Sequence, residues 1–457
     1  MSLTEQQQQI MSDLEKGLNV FATGPAGTGK SFLIRHIYDV FPKRTTQICS
    51  MTGVSTVLLN NLIQHSKAKT LHSWSGIGLC QTSKDRIFKR IMRNTRCLKR
   101  WQTTQLLIVD EVSMMSRYIF ELLEEFARYI RRNDLPFGGL QIVFTGDMFQ
   151  LPPVACSGTE DTGAFCFESP RWNVVFGENY GTLISLTRVF RQEGDEEYRN
   201  VLNEVRLGQC SEESWKLLKS RVVVEKPEDA IMTKLFPTRM LVQQLNESEY
   251  GKIEGEEFVY EIIVKTNHTM YIDDGEPFDE YDRALCLETP LEEKQKESMH
   301  FKSVLPCVDH LRLKKGVIVM CLVNEDIEKG IVNGSQGRVV DFHLGSPLVE
   351  FTNGEKMVIS VHYWQNGTLP CILVGQIPLV LSWATTIHKS QGMTLSRAEI
   401  DLGNQIFEYG QAYVALSRVK SSDGLYLTKF NPYKIKANPK VLKFYQSLNS
   451  LEEGYSI

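Results

Sequence analysis

The sequence predicts an α/β protein built on parallel sheets, and three observations carry that expectation. Short β-prone runs alternate with segments of helical spacing through the first 180 residues. Residues capable of chemistry stand at the carboxyl ends of those runs, where open parallel sheets place their sites. The same alternation returns near the end of the chain, after a set of closely spaced short strands that reads as a small all-β module inserted into a second α/β domain.

Taken in order, "NVFAT" (19–23) is a β-prone run leading into the Gly-rich "GPAGTGKS" (24–31), and "SFLIRHIYDVF" follows with Phe32, Leu33, Ile37 and Val40 at helical spacing. "QLLIVDE" (105–111) and "QIVFTGD" (141–147) are two further strands, separated by the helix-like "YIFELLEEFARYIRR". The acidic stretch "DDGEPFDEYDRALCLETPLEEKQKE" lacks sustained apolar periodicity and reads as an exposed insertion. Beyond it "GVIVMCLV", "QGRVVDF", "PLVEF" and "KMVISV" form the short strands, and "IPLVLSWATTIHKSQG" and "GQAYVALSRV" restore the alternation. A helix-like "PKVLKFYQSL" comes last.

The bulk numbers exclude several classes. With 457 residues, 42% hydrophobic and 23% charged, the chain has ordinary globular composition and length for two or more cores. A formal net charge of −4 gives no global signature of a nucleic-acid partner, so any such surface must be local. No signal peptide reads in the first twenty residues, and no run of about 18 apolar residues predicts a membrane partner. Ten cysteines without a C-x-x-C pair read as reduced thiols in an intracellular compartment. Nucleus, mitochondrion and the cytoplasm of a bacterial or virus-infected cell are not distinguished.

Strand, Gly-rich turn and helix in that order are the context of a P-loop. Gly24, Pro25, Ala26, Gly27, Thr28, Gly29, Lys30 and Ser31 would bind ATP, with backbone N–H groups around the phosphates, Lys30 on the β- and γ-phosphates and the Ser31 hydroxyl on Mg²⁺. Asp110, at a strand end after four apolar residues, can hold the same metal. Glu111 can orient or deprotonate the attacking water, so the set predicts hydrolysis of a nucleoside triphosphate.

What the hydrolysis drives comes from a resemblance. "LTEQQ", "DEVSM" (110–114), "GDMFQLPPV" (146–154), "ATTIHKSQGMTL" (384–395) and "YVALSR" (413–418) resemble the motifs of superfamily 1 DNA helicases. "TLHSWSGIGL" (70–79), "PFGGLQIVFTGD", "LTRVFRQ" (186–192), "LFPTR" and "GIVNGSQGRVV" are similar to the PIF (petite integration frequency) family, relatives of RecD and Dda. The match runs from about residue 3 to the last helix-like segment in the family's order. The resemblance implies two RecA-like domains, 1–180 and a second split into 181–250 and 377–457. It also implies a small wedge at about 54–70 and an SH3-like insert at 251–376 that includes the acidic stretch. It implies ATP-dependent 5′-to-3′ translocation on single-stranded DNA and unwinding of tailed or forked duplexes in replication, repair or recombination. The protein would be a monomer when free and recruited by replication or repair proteins. Remodelling of RNA–DNA hybrids or G-quadruplexes is the alternative output.

By position, Gln7 resembles the family's adenine contact, Gln150 its γ-phosphate sensor, and Arg191 and Arg418 the arginines that reach across the cleft; Gly392 joins the ATP site. Cations that arrive on closure suit the charge that builds on a transferring phosphoryl group. Thr52, Gly53, His72, Ser73 and Trp74 fall on the first domain's DNA-contact motifs, and His388, Lys389, Ser390 and Thr394 on the second's, a set suited to tracking phosphates without reading bases. Trp74 either stacks on a base or fills a gap under the sheet. The basic run 83–101, with Arg86, Lys89, Arg90, Arg93, Arg96 and Arg100 at helical intervals, is either a solvated face or a duplex-facing patch. The acidic stretch after residue 270 would repel DNA and face away from it. A nucleotide-driven switch, an AAA-type ATPase and a DNA-binding module with a decayed ATPase are the rival readings. The paired arginine motifs and the intact Lys30, Asp110 and Glu111 weigh against them.

Overall fold

The computed structural model describes residues 3–454, except 64–67, 79, 81, 157–158, 178, 223–231, 268–279, 306, 324, 327, 332–333, 367–368 and 396. Parts of the expected wedge (64–67), of the acidic stretch (273–279) and of two quoted motifs (79 and 332–333) therefore lie outside the described residues. The chain divides into two compact units, residues 1–242 with 385–457, and residues 243–384. No helix among the described residues is long and apolar enough to cross a membrane.

The larger unit begins with a capped helix α1 (Glu5–Glu15), in which the Thr4 and Gln7 side chains bond reciprocally to each other's backbone N–H. Six strands follow: β1 (Asn19–Thr23), β2 (Thr46–Ser50), β3 (Lys69–Thr70), β4 (Leu106–Asp110), β5 (Gln141–Gly146) and β6 (Gly181–Ser185). All pair in parallel, in the order β3-β2-β4-β5-β1-β6. β1 and β4 are buried along their whole length, as strands covered on both faces must be. Alternate residues serve opposite layers. Val20, Ala22, Leu106 and Ile108 pack with α1 and with α2 (Lys30–Val40). Phe21, Leu107, Val109 and Phe144 face the layer that contains Phe120, Phe126 and Trp172. The segment 181–185, expected to open the second domain, instead pairs with β1 and completes the first sheet.

A second sheet in this unit has four strands in the order Ala384–Thr386, Thr233–Phe236, Ala398–Leu402, Leu425–Phe430. The last three run parallel. The protein is thus a mixed α/β chain with parallel sheets. Helices Glu196–Arg206 and Gln411–Leu416 accompany the second sheet, whereas Pro439–Gly454 returns to the first, with Phe444 against Phe21 and Trp172. The basic run 83–101 forms two helices, Lys84–Arg93 and Thr95–Thr103, because Asn94 leaves helical geometry and caps the second through Cys97 N–H.

The smaller unit is mainly antiparallel, with a five-stranded sheet in which Ile318–Cys321, Gln336–His343 and Ser346–Phe351 are central. Val319, Val339, Val349 and Leu379 belong to its core. Most described residues of the acidic stretch are exposed, as its composition predicted, but they are helical and one corner is packed. Helices Glu280–Glu288 and Leu291–Val304 form there, and Leu285, Cys286 and Phe301 pack with Leu369, Cys371 and Ile372.

Candidate active site

The carboxyl ends of β1, β4 and β5 deliver the P-loop, Asp110–Glu111 and Asp147 to one region. The loop carries α2 at its exit, so the helix N-terminus and the free N–H groups of its first turn form a site for anions. Lys30 Nζ donates to the loop's own carbonyls, Gly24 O at 2.7 Å and Pro25 O at 2.9 Å. Burial pushes its ammonium below the ordinary lysine value, and the carboxylates of Asp147, Glu111 and Asp110 oppose that shift. The Ser31 side chain is exposed at the same helix end.

Asp110 is buried and accepts at Oδ1 from the Thr145 hydroxyl (2.6 Å) and the Glu111 N–H (2.9 Å). Burial, then Glu111, pushes its carboxyl up to about 6. Two adjoining carboxyls with one charge poorly tolerated are a donor set that a divalent cation fits. Glu111 has φ 57° and ψ 40°, a left-handed backbone that costs a non-glycine residue about 1–3 kcal/mol. That turn brings its Oε2 within 2.9 Å of Gln391 Nε2, beside Gly392, so the second sheet's motif holds the carboxylate expected to act on water.

Arg191 packs directly on the P-loop: a Cβ on Gly27 would meet the Arg191 Cβ at 2.6 Å, and Phe190 N donates to Gly27 O at 2.8 Å. Its Nη1 donates to Ser417 O at 3.0 Å. Arg418 is fully buried and donates to Val414 O (2.8 Å), Met393 O (3.2 Å), Ser390 O (3.4 Å) and Ser417 Oγ (2.8 Å). Among the described residues no carboxylate bonds to it. Burial first, then Arg191, pushes its guanidinium down to about 9. A half-buried guanidinium on the P-loop with a buried one close enough to shift its titration fits a multiply charged anion.

Gln7 also has a vacancy in its bonding. Its Oε1 accepts from Thr4 N–H at 3.0 Å, whereas its buried Nε2, 3.2 Å from where a Cβ on Gly29 would lie, has no partner among the described residues. An amide donor beside the P-loop suits the ring-nitrogen acceptors of a nucleobase. Gln150 is buried, its N–H bonded to Asp147 O at 2.9 Å, and its Oε1 has no partner among the described residues.

The expected strand contacts separate into two groups. Gly53, Ser73, Lys389 and Thr394 are exposed. Thr52 caps the helix Gly53–Leu62 through Ser55 N–H. His72 and His388 are half-buried, and burial lowers both imidazoles below their ordinary value, so they are neutral near pH 7 and offer hydrogen bonds rather than charge. Two others are corrected. Trp74 is fully buried against Trp101, ring centroids 4.7 Å apart, and has no face free for a base; it fills the core. Ser390 is fully buried with its hydroxyl bonded to Ile387 O at 2.8 Å, so it positions Arg418 through its carbonyl rather than meeting a strand.

The basic helices divide in the same way. Arg90 donates to Ile77 O (2.6 Å) and Arg100 to Trp74 O (3.1 Å), which fastens the segment after His72. Arg86, Lys89, Arg93 and Lys99 are exposed, and the Arg96 side chain lies outside the described ones.

Four residues that sequence reasoning missed form a buried hub. Asp147 accepts from Arg206 Nη2 (2.9 Å) and Nε (3.0 Å), from the Tyr413 hydroxyl (3.1 Å) and from the Tyr445 hydroxyl (3.4 Å). Tyr413 also accepts the P-loop's Ala26 N–H at 2.8 Å. Asp147, Tyr413 and Gln391 lie inside quoted motifs, but nothing in the sequence pairs them, and Arg206 and Tyr445 carry no local signal.

The profile of the family described as PIF1-like helicase matches residues 2–216, and that of the Pif1 2B domain matches residues 301–342. The crystal structure of the Pif1 helicase from Candida albicans superposes with a TM-score of 0.80 at 30% identity, covering 98% of this chain and 100% of that one. The chain belongs to the PIF1-like helicase family. The ATP-dependent DNA helicase PIF1 of Xenopus laevis is 33% identical over 452 residues, 98% of this chain. The chain spans 64% of that frog protein's length, less than two thirds. A Bacteroides Pif1 helicase solved in complex with ADP-AlF3 and single-stranded DNA matches with a TM-score of 0.70 at 26% identity, covering 98% of each chain.

Proposed function

We propose that this PIF1-like chain is an ATP-driven DNA helicase that moves 5′ to 3′ on single-stranded DNA and opens tailed or forked duplexes inside the cell. The observation that carries the proposal is the meeting, at one P-loop, of Asp110 and Glu111 from the first sheet with Gln391 and Arg418 from the second. A hydrolysis site shared by two sheets ties the state of the nucleotide to their separation. The relatives' names and the nucleotide–DNA complex of the Bacteroides protein support the same reading.

In this reading Gln7 holds the adenine and the loop from Gly24 to Ser31 holds the phosphates. Glu111 takes a proton from the attacking water while Gln391 fixes its carboxylate. Arg191 and Arg418 meet the charge that develops on the γ-phosphoryl group, and Gln150 senses it. Mg²⁺, held by Asp110 and Ser31, would supply counter-charge to the phosphate oxygens. Arg418 must exchange some of its four protein acceptors for phosphate oxygens, so hydrolysis returns it to Val414, Met393 and Ser417 as the sheets part. Thr52, Gly53, His72 and Ser73 on one side and His388, Lys389 and Thr394 on the other hold the strand, and the change in separation advances it. The antiparallel unit takes the place of the inserted SH3-like module.

The test is steady-state ATPase with and without single-stranded DNA, followed by unwinding of duplexes with either a 5′ or a 3′ tail. DNA-stimulated turnover and unwinding only with the 5′ tail are expected. Turnover indifferent to DNA, or efficient unwinding from a 3′ tail, refutes the reading.

A further inference from the structure

The loop 403–410, "GNQIFEYG", joins the strand Ala398–Leu402 to the helix that precedes Arg418. It presents Phe407 at 64% exposure, two residues before Tyr409. Leaving a Phe ring in water forgoes much of the stabilisation that burial gives. The loop is nevertheless firmly held. Gln411 Oε1, fully buried, accepts the Phe407 N–H at 3.1 Å, and Gly410 N donates to Lys436 O at 3.2 Å. Gly410 adopts φ 71° and lies so near the phosphate-sensing segment that a Cβ there would meet Gln150 O at 2.7 Å. An apolar ring fixed in solvent by a built loop points to a ligand rather than to slack in the fold.

A cavity of about 150 Å³ lies at this loop, lined by Ile406, Phe407, Glu408, Tyr409, Lys434 and Lys436. A cavity of that volume holds a single six-membered aromatic ring in other proteins. Glu408, the acid in its wall, has Oε1 turned to the Tyr409 N–H at 2.9 Å. Two aromatic side chains and two ammonium groups around a ring-sized space match the chemistry of a nucleotide, a π-face for the base and cations for the phosphates. Phe407 also lies parallel to the His388 imidazole, centroids 6.1 Å apart and planes 16° apart. The charges of Arg239 and Glu408 are both felt at His388, and that of Arg239 at Lys389, so the cavity adjoins the basic residues placed on the strand's path.

We propose that this cavity is a one-nucleotide subsite, in which a base of the bound single strand packs on Phe407 while Lys434 and Lys436 meet its flanking phosphates. The subsite rests on the function given above and adds to it a base contact outside the residues matched to the family's motifs. Because Gly410 backs onto Gln150, the nucleotide held here also lies one loop away from the γ-phosphate sensor.

The test uses the full chain and a fluorescein-labelled single-stranded oligonucleotide in anisotropy titrations at several salt concentrations. Phe407→Ala should bind about 10-fold more weakly, in the range of one base–aromatic stack, and Phe407→Tyr should bind like the parent. Lys434→Ala with Lys436→Ala should lower the slope of log affinity against log salt by about 1–2. Removing the bases of the oligonucleotide should cost the parent about 10-fold more affinity than it costs Phe407→Ala, a coupling that a merely structural role would not produce. In Phe407→Trp the new indole should be quenched on binding. Parental binding with an indifferent Phe407→Ala, or with no coupling to base removal, overturns the subsite alone. A parent that binds no single strand overturns the helicase reading and the subsite with it.

Discussion

Arg206→Ala should destabilise the larger unit by about 3–5 kcal/mol, the cost of breaking a buried ion pair from one side. The magnitude follows from what Asp147 keeps. It loses three guanidinium contacts, at 2.9, 3.0 and 3.2 Å, and with them its only ion-pair partner among the described residues. It retains two tyrosine hydroxyls and the Phe149 N–H at 3.2 Å, which are neutral donors, and it has no exposure to water. The guanidinium's packing over the Phe149 and Tyr445 rings, at 4.4 and 5.1 Å, disappears as well. Against a usual total of about 5–15 kcal/mol, this loss removes about a fifth or more of the margin. Urea unfolding followed by tryptophan emission is the assay, because Trp74, Trp101, Trp172 and Trp215 all lie in that unit. A lower midpoint at unchanged slope gives the difference directly. Asp147→Asn added to Arg206→Ala should recover about half of it, since the orphaned charge is gone. A loss below about 1 kcal/mol, or a double variant no better than the single one, refutes the account of the hub as a buried charge pair.

Glu111→Gln preserves the contact with Gln391 and removes the base, so turnover should fall by about 10²-fold or more while ATP affinity stays near the parent's, read by nucleotide titration beside steady-state hydrolysis. Asp110, raised from 3.8 to about 6, holds its proton more tightly folded than unfolded. The stability tied to it is therefore fully present below about pH 4 and lost as pH rises through about 6. Mg²⁺ takes only the ionised form, so its affinity, measured calorimetrically, should drop by about tenfold per unit below pH 6; a flat profile from pH 5 to 7 contradicts the assignment. Trp74→Ala should lower stability by about 3–5 kcal/mol as a core deletion, whereas Trp74→Phe should leave single-strand affinity unchanged in anisotropy titrations. Weaker binding by Trp74→Phe would restore the stacking role.

Where local pattern decides, the sequence was enough. β1, β4 and β5 are apolar runs because both faces of a parallel sheet are covered, and Asp110 stands out as the polar residue where one of those runs stops. The P-loop is legible because glycine, lysine and serine at fixed spacing have few other uses between a strand and a helix. The acidic stretch is exposed as read, but its small packed corner was not legible, because Leu285, Cys286 and Phe301 are too sparse to mark an apolar stripe amid glutamates until Cys371 and Ile372 cover them. Residues 181–185 misled because β6 is assigned to its sheet by pairing with Asn19–Thr23, far back in the chain. Trp74 was ambiguous because one indole serves equally as core or as platform, and only the position of Trp101 decides. The hub was invisible for a related reason: its bonds join residues 59 to 298 positions apart, and no periodicity spans such distances.

The reach of Tyr445 has a consequence for how the chain is made. Its hydroxyl bonds Thr23 at the end of β1, 422 residues earlier, and accepts the Met148 N–H at 3.2 Å. The first sheet has all its strands once Ser185 is synthesised, yet these buried groups wait for a partner that the ribosome has not reached. At about 5–20 residues per second, the roughly 260 residues from Ser185 to Tyr445 take on the order of 13–50 s. Through that interval Thr23, Met148 N–H and Asp147 each lack a bond whose absence costs about 1–3 kcal/mol when the group is buried. Until the final helix arrives, water must satisfy these groups at the phosphate-binding end of the first sheet. A pause that lengthens the wait acts on a sheet that still lacks these bonds.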